Sequence, residues 1–399
     1  MISTGNKMEL AERISTEVSR NKDAIASLTR ELVRIPSFSG DAEGLSAMAQ
    51  VISEEMKKAG LSVELMEAEK GLTNVIGKYR GSDTAPWILF NGHTDVVPVP
   101  SEKDWVSPPF GAEIKDGRIY GRGACDMKGG LAAMLTVPKI IFSLFPEFKG
   151  NFILAATVDE EIGGFNGMKY VMEQRIKADM GIVCEPTDLK IVIVCKGLLW
   201  LKLRTGGRNA HGGMPEQGIN AISKMSKVLG ALENYDFQRT PHEILGKPSV
   251  NIGKISGGSR PNVVPDSCEA EIDIRYLPGQ TYQQIINELN KLMHNLEKQD
   301  PQIDAEIELI RYRSPVEIPR EETVVRTVGE ALRRMLGREP EFRGMISAAD
   351  SEYLVNAGIP SIMFGPGSDH LAHATNEWIA IDDILTAVKV YTATCLEIT

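Results

Sequence analysis

The sequence has little of what several classes of protein require. Its five cysteines, in a chain of 399 residues, are odd in number and include no C-x-x-C pair. This argues against a disulfide framework or a thiolate metal site and predicts reduced, mostly buried thiols. Positive charge is also in deficit, because 44 basic residues face 54 acidic ones and leave a net charge of −10. Such a balance argues against a nucleic-acid partner.

Long apolar stretches are scarce as well. No apolar run reaches the length of a membrane span, so we expect no membrane partner. The first residues, MISTGNKMELAERIS, lack the apolar centre of a signal peptide, which predicts a cytoplasmic location. What the chain does contain is 42% hydrophobic and 25% charged residues, which is typical of a globular protein. A chain of this length is expected to form two domains.

The order of predicted elements divides the chain. Up to residue 197, short apolar runs such as WILFNGH, NFILAATV and MGIVCE alternate with helical segments. This alternation predicts an α/β domain with a mostly parallel central sheet. Residues 198–310 follow a β-α-β-β-α-β order, which predicts an inserted α+β, ferredoxin-like domain. Residues 311–399 then return to a helix, a core strand and a final helix, so 1–197 and 311–399 are predicted to form one domain.

Polar residues follow several of the predicted strands. His93 and Asp95 end WILFNGHTD and, two residues apart, share one face of the strand. A metal-bound imidazole usually needs such a partner on its other nitrogen, although a plain polar strand end would look the same. Asp126 lies among glycines (YGRGACDMKGG) just before a helix, where the alternative is a helix N-cap.

Two adjacent glutamates come just after another predicted strand, over 151–158. Successive side chains on a strand point to opposite faces, so Glu160 and Glu161 are expected to face different partners. Glu185 ends the strand MGIVCE, and His370 and His373 lie in a loop after the last core strand.

These side chains all lie at strand ends or in the loops that follow, which is where open parallel sheets bind ligands. Imidazoles and carboxylates are the ligands expected for Zn²⁺, with Co²⁺ or Mn²⁺ as substitutes. Five such ligands are too many for one tetrahedral ion that keeps an open position. They suit two ions about 3.5–4 Å apart, bridged by a carboxylate.

Eight motifs occur in one order along most of the chain: GHTDVVP, YGRGACDMKGG, TVDEEIGG, CEPT, AHGGMPEQGINAI, RPNVVPD, DIRYLPG and AHATNEW. As a set they resemble the two-zinc metallopeptidase-like family of aminoacylase, acetylornithine deacetylase, succinyl-diaminopimelate desuccinylase and glutamate carboxypeptidase. The resemblance implies a catalytic, metal-binding domain from 1–197 and 311–399. It implies that 198–310 is a lid and dimerisation domain, and hence a homodimer.

The resemblance also implies metal ligands. His93 and Glu185 would bind one zinc ion, Glu161 and His373 the other, and Asp126 would bridge the two. His373 is preferred to His370 because the residues ATNE follow it.

Further roles follow for the chemistry. The resemblance implies that Asp95 orients His93 and that Glu160 is the general base. His211 of the inserted domain matches the position that donates a hydrogen bond to the oxyanion, often in the partner subunit. The alternative for His211 is a solvent-facing loop histidine.

Among the candidate substrate-binding residues, Arg275 is supported by its position on a predicted strand. Strand alternation in DIRYLPG places Arg275 and Asp273 on one face, where the alternative is a surface salt bridge. A guanidinium can hold a carboxylate through two parallel hydrogen bonds, and the resemblance places Arg275, with Asn262, on the face that closes over the metals. Ser347 (MISAADSEYL) and Gly365 (GPGSDHLAHATNEW) are also assigned to substrate binding.

The resemblance implies a zinc-dependent amide hydrolase that releases the acyl group from an N-acyl amino acid in amino-acid biosynthesis. The expected type is acetylornithine deacetylase or succinyl-diaminopimelate desuccinylase. A dipeptidase, carboxypeptidase or general aminoacylase stays open, because each also cleaves an amide beside a free carboxylate. A silent binding relative is disfavoured, because neither Glu160 nor any metal ligand is missing.

Overall fold

A computed structural model of the chain describes residues 4–233, 235–237 and 240–398. Contacts divide the chain into two units. The core unit contains the chain up to Ile193, Ile318–Arg343 and the residues from Ala349 onward. The inserted unit contains Val194–Glu317, close to the predicted 198–310, and in addition Gly344–Ala348.

In chain order, the helices of the described residues are α1 (Thr4–Arg20), α2 (Lys22–Val33), α3 (Ala42–Lys58), α4 (Gly129–Leu144), α5 (Tyr170–Glu173), α6 (Ala221–Glu233), α7 (Tyr282–Gln299), α8 (Thr323–Leu336), α9 (Ser351–Asn356) and α10 (Ile381–Glu397). The strands are β1 (Ser62–Glu69), β2 (Leu72–Arg80), β3 (Trp87–His93), β4 (Glu113–Lys115), β5 (Arg118–Tyr120), β6 (Asn151–Thr157), β7 (Met180–Val183), β8 (Ile191–Cys195), β9 (Gly197–Gly206), β10 (Ser249–Gly257), β11 (Ser267–Tyr276), β12 (Ala305–Arg313), β13 (Val316–Glu317), β14 (Phe342–Met345), β15 (Ser361–Met363) and β16 (Trp378–Ala380).

The core unit is built on a mixed sheet in the order β1-β2-β6-β3-β7-β15. The pairs β6–β3, β3–β7 and β7–β15 are parallel, while β1–β2 and β2–β6 are antiparallel. Strands β6 and β7 are buried along their whole length. Near-continuous apolar strands of this kind are typical of parallel sheets that are covered on both faces. The predicted α/β class with a mostly parallel centre is confirmed.

Helix α4 corrects one expectation. The segment Ala124–Leu144 has a mean hydropathy of 1.3 and is long and apolar enough, by length and composition, to span a membrane. The statement that no such run exists was therefore wrong. In the structure 78% of this apolar window is buried inside the protein, as expected for a core helix. The five cysteines are free and buried, which confirms the prediction of reduced thiols.

The inserted unit is an antiparallel sheet in the order β10-β11-β9-β12. Its chain order β-α-β-β-α-β and this strand order confirm the ferredoxin-like arrangement. Alternate residues of β9 and β11 face a core that includes Leu201, Ile272 and Ile274. Helices α6 and α7 contribute Met225 and Leu289 to the same core. The other face of the sheet carries charged side chains.

Candidate metal centre

The carboxyl ends of three parallel strands bring polar residues together. His93 is the last residue of β3, Glu185 follows β7, and Glu160 and Glu161 follow β6. Because β6, β3 and β7 are neighbours in the sheet, the segments that leave them meet at one edge. The sequence predicts a site at this edge from the polar residues that follow the strands.

The ring of His93 is oriented by a backbone carbonyl two residues further along the chain. Its side chain is 1% exposed, and Nδ1 lies 2.9 Å from the carbonyl oxygen of Asp95. A carbonyl can only accept, so Nδ1 carries a proton and Nε2 faces the site. Nε2 lies 3.0 Å from Oδ1 of Asp126 and 3.9 Å from Oε1 of Glu185. The Asp95 carboxylate is more distant from the ring, with Oδ1 3.6 Å from Nδ1.

His373 approaches the same aspartate from the other side. Its Nε2 lies 2.9 Å from Oε2 of Glu161 and 3.4 Å from Oδ2 of Asp126. Each Asp126 oxygen therefore faces a different histidine, which is the arrangement of a bridging carboxylate. His370 is exposed in the short turn Asp369–Leu371, earlier in the same loop.

The two adjacent glutamates lie beyond β6, so the alternation of a strand is not what separates their side chains. Strand β6 ends at Thr157, and both residues belong to the 3₁₀ turn Glu160–Ile162. Such a turn separates successive side chains by about 120°. Oxygens of Glu160 lie within 4.8 Å of ligand atoms of His93 and Glu185, whereas those of Glu161 lie within 4.8 Å of His93 and Asp126. The two glutamates thus join different ligand groups.

Asp95 fixes this turn, which the sequence did not reveal. Its Oδ1 accepts the backbone N–H of Glu160 at 3.1 Å, and Oδ2 accepts that of Glu161 at 3.2 Å. The hydroxyl of Ser39 donates to Oδ2 at 2.7 Å. Asp95 therefore orients His93 through its carbonyl and the glutamate pair through its carboxylate. The spacing of His93 and Asp95 indicated the first contact, but nothing in the sequence indicated the second.

The electrostatics of this cluster fit a cation. Burial and the charge of Asp126 raise the pKa of Glu161 to about 8. Burial raises the pKa of Glu185 well above its usual range. Carboxylates this close cannot all ionise without a compensating positive charge. Within the part of the chain that the structure describes, Oε1 of Glu161 is buried and has no hydrogen-bond partner.

The pKa values of the two histidines are raised as well, which favours their charged forms. Hydrogen bonds to Asp126 and Glu161 raise the pKa of His373 to about 10. Burial opposes the charge of His93, yet its hydrogen bond to Asp126 and the charge of Glu185 raise its pKa well above the usual value. A proton on an imidazole compensates a neighbouring carboxylate, and a metal ion can take the place of such a proton. The donor set of imidazole nitrogens and carboxylate oxygens suits Zn²⁺, Co²⁺ or Mn²⁺.

In the inserted unit, His211 and Asn262 lie side by side. The N–H of Gly212 donates to the carbonyl of Asn262 at 2.8 Å, and His211 forms a bridge with Val263. The N–H of Gly213 donates to Nδ1 of His211 at 3.1 Å. Since Nδ1 accepts, the proton of the neutral ring is on Nε2. His211 is exposed and presents an N–H donor.

Arg275 has a partner on its own strand. Its Nε and Nη2 donate to Oδ1 and Oδ2 of Asp273, both at 2.9 Å. Both side chains are 26% exposed. The predicted alternation is confirmed, because Ile272 and Ile274 are buried on the opposite face. The guanidinium fork thus holds a carboxylate of the protein itself.

The remaining assigned positions differ in surroundings. Ser347 is exposed and belongs to the inserted unit. Gly365 is buried in the core unit, where a Cβ atom would lie 2.5 Å from the carbonyl oxygens of Cys184 and Glu185. Glycine at this position therefore allows the chain to approach the backbone of a site residue. Its structural reason is close packing.

The chain is similar to known proteins along most of its length. Residues 89–397 match the model of peptidase family M20/M25/M40. The chain is 28% identical over 411 residues to N-formyl-4-amino-5-aminomethyl-2-methylpyrimidine deformylase from Halalkalibacterium halodurans, covering 96% of both chains. It is 29% identical over 374 residues to acetylornithine deacetylase from Edwardsiella ictaluri, covering 90% of this chain and 94% of the relative.

Solved structures agree in fold. A tripeptidase from Staphylococcus aureus superposes with a TM-score of 0.78 at 25% identity, covering 95% of this chain and 98% of the other. A dinuclear metal-binding peptidase of the M20 family from Bacillus subtilis gives a TM-score of 0.75 at 16% identity, covering 96% and 100%. With the family match, these similarities lead to one conclusion: this chain belongs to the M20/M25/M40 peptidase family and is a metal-dependent hydrolase of amide bonds.

Proposed function

We propose that this protein removes the acyl group from an N-acyl amino acid, using two metal ions at the ends of β3, β6 and β7. The observation that carries the proposal is the position of Asp126. Its two oxygens face two different histidines, His93 at 3.0 Å and His373 at 3.4 Å. One carboxylate can therefore serve two ions.

His93 and Glu185 would hold the first ion, and Glu161 and His373 the second. Asp126 would bridge them. The preferred ion is Zn²⁺, with Co²⁺ or Mn²⁺ as substitutes. When bound, the ions lower the pKa of a water molecule toward neutrality and polarise the amide carbonyl.

Glu160 would be the general base. It takes a proton from the attacking water, whose oxygen adds to the amide carbon. The C–N bond then breaks, and Glu160 passes the proton to the leaving amine. Asp95 supports this role, because its carboxylate holds the backbone N–H of Glu160 at 3.1 Å.

His211 would stabilise the negative oxygen that develops on the carbonyl. The contact from Gly213 leaves Nε2 of His211 as a hydrogen-bond donor, which is what an oxyanion needs. We extend the proposal to a homodimer located in the cytoplasm, in which His211 acts in the site of the partner subunit.

Arg275 and Asn262 would bind the α-carboxylate of the substrate. This proposal is supported by the Asp273 contact, in which the Arg275 fork holds a carboxylate of the protein through two hydrogen bonds. A substrate carboxylate would have to compete with Asp273 for this fork. Ser347 and Gly365 remain proposed contacts of the substrate.

The contact between Arg275 and Asp273 favours a second candidate function. If Arg275 stays bound to Asp273, it is not available to a substrate carboxylate. The leaving group would then be an amine that carries no carboxylate. The similarity to a pyrimidine deformylase supports this alternative, in which a formyl group is removed from an aminomethyl heterocycle. Dipeptidase and carboxypeptidase activities fit the first candidate equally well in chemistry, because they also place a carboxylate beside the amide.

A hydrolysis panel with zinc-loaded protein tests the proposal. It contains N-acetylornithine, N-succinyl-diaminopimelate, N-acetylmethionine, several dipeptides and an N-formyl aminomethylpyrimidine. We expect the highest kcat/KM for an N-acyl amino acid and a large loss when its carboxylate is amidated. Preference for the formyl pyrimidine would select the second candidate, and preference for dipeptides would indicate a peptidase.

A further inference from the structure

A buried ion pair connects the two loops that carry Asp126 and His373. The side chains of Arg122 and Glu377 are 3% and 1% exposed, and Nη1 of Arg122 donates to Oε2 of Glu377 at 2.7 Å. Arg122 comes just before the turn Ala124–Lys128 that contains Asp126. Glu377 follows His373 in the last loop before β16. The pair thus joins segments that are far apart in sequence.

The Glu377 carboxylate accepts hydrogen bonds from the turn of Asp126. Oε1 accepts the N–H groups of Cys125 at 2.8 Å and of Asp126 itself at 3.0 Å. Oε2 accepts the N–H of Gly123 at 3.0 Å in addition to the guanidinium. All of these partners are donors, so the position requires a group that only accepts. An ionised carboxylate meets this requirement, whereas an amide would direct N–H donors at other donors.

The Arg122 guanidinium binds the other loop. Nη2 donates to the carbonyl of His373 at 3.2 Å, and Nη1 donates to the carbonyl of Ala374 at 3.2 Å. The backbone N–H of Asp126 and the backbone carbonyl of His373 are therefore bound to the same ion pair. Both residues are proposed ligands of the second ion, and one of them is also the proposed bridge.

Stability alone explains this pair poorly. Burying two charges carries a desolvation cost, and replacement of buried pairs by apolar residues is often neutral or stabilising. The hydrogen bonds of this pair go to backbone groups of site residues or their neighbours. Outer partners of this kind orient metal ligands, and their loss typically lowers metal affinity about 10–100-fold.

We propose that Arg122 and Glu377 are positioning residues that hold Asp126 and His373 at the separation that the second ion requires. The inference rests on the two-metal site of the proposed function. It differs from a structural role in what it predicts, because the effect must be larger for the second ion than for the first. The first ion would share Asp126, but its other two ligands, His93 and Glu185, lie on other segments.

The test compares Glu377→Gln with Glu397→Gln. Glu397 pairs with Arg334 through side chains that are 20% and 7% exposed, between α10 and α8, and serves as the matched control. A chromophoric chelator removes Zn²⁺ from each metal-loaded protein and gives the affinity of each ion. Thermal unfolding is measured separately. For Glu377→Gln we expect the second ion to bind at least about tenfold more weakly, the first ion to change less, and the control to match the wild type.

Arg122→Lys provides a second variant if Glu377→Gln does not fold. Lysine keeps the charge and can contact Glu377, but it cannot bind two carbonyls through a planar fork. We expect the same selective weakening of the second ion. If both variants bind both ions as tightly as the wild type, the inference is overturned even when their unfolding temperatures are lower. The proposed function would not be affected by that result. Wild-type protein that binds a single ion would overturn the inference together with the proposed function.

Discussion

The candidate metal centre of the core unit and the charged face of the inserted sheet place their charged side chains in opposite environments. In the core unit, His93, Glu161 and Glu185 are 1%, 6% and 9% exposed at the site. In the inserted unit, Arg204 and Glu269 are 43% and 45% exposed on the outer face of the sheet. The exposed charges are satisfied by one another and by water. The buried carboxylates are too close to ionise together, and this difference marks one cluster as a cation site and the other as surface.

Asp126→Ala should produce the largest effect. Both proposed ions share this carboxylate, so its loss should release at least one ion and reduce hydrolysis to background. Metal analysis and activity assays of the purified variant check this. Arg204→Ala, on the exposed face, should keep both ions. An Asp126→Ala protein that retains two ions and full activity would remove Asp126 from the site.

Within the core unit, substitutions of the two adjacent glutamates should have different effects. Glu160→Gln should keep both ions and lose about 10²–10⁴-fold in turnover, the usual contribution of a positioned general base. Glu161→Gln should instead weaken the second ion. Metal content and kcat are measured for both variants. The opposite pattern would show that the base and the ligand are exchanged.

The sequence predicted most of this site for an identifiable reason. Residues that follow parallel strands meet whatever their separation along the chain, so His93, Glu185 and the glutamate pair could be placed together. The 3₁₀ turn was missed because it depends on the contact of Asp95 with two backbone N–H groups. Such a contact leaves no periodicity in the sequence.

The Arg122–Glu377 pair was missed for a similar reason. Both residues lie inside motifs that the resemblance identified, YGRGACDMKGG and AHATNEW. A motif match shows that residues matter together but does not show which atoms meet. The shared face of Arg275 and Asp273 was predicted, because alternation along one strand is a local property. The alternative role for Arg275 was a salt bridge to neighbouring strands, and the pair within the strand was not foreseen.

Metal affinity should rise with pH. Without metal, His373 with a pKa of about 10 and Glu161 with a pKa of about 8 hold protons at pH 7. An ion must displace these protons, so each proton released raises the apparent affinity about tenfold per pH unit below the pKa. Chelator competition at pH 6, 7 and 8 should show this increase. An affinity that is independent of pH would mean that the ligands are already deprotonated in the metal-free protein.

Arg275→Lys should give a smaller, substrate-dependent effect. Lysine keeps the charge but loses the fork, so kcat/KM on an N-acyl amino acid should fall at least about tenfold, or roughly 1.4 kcal/mol. The corresponding amide-capped substrate, which should already be poor, should change little. Steady-state kinetics on the matched pair of substrates provide the measurement. Equal losses on both substrates would show that Arg275 does not bind the substrate carboxylate.

Arg204→Gln should produce the smallest effect and tests the other side of the comparison. Arg204 contacts Glu269 at 2.8 Å and Glu308 at 2.6 Å, yet all three side chains are more than 40% exposed. Pairs of this kind contribute little, because water and salt screen the attraction and holding long side chains costs entropy. We expect the unfolding temperature to change by no more than about 2 °C, with metal content unchanged. A larger decrease that persists in 1 M salt would show that this face is not an ordinary solvated surface, and its charges would then require a partner just as the buried carboxylates do.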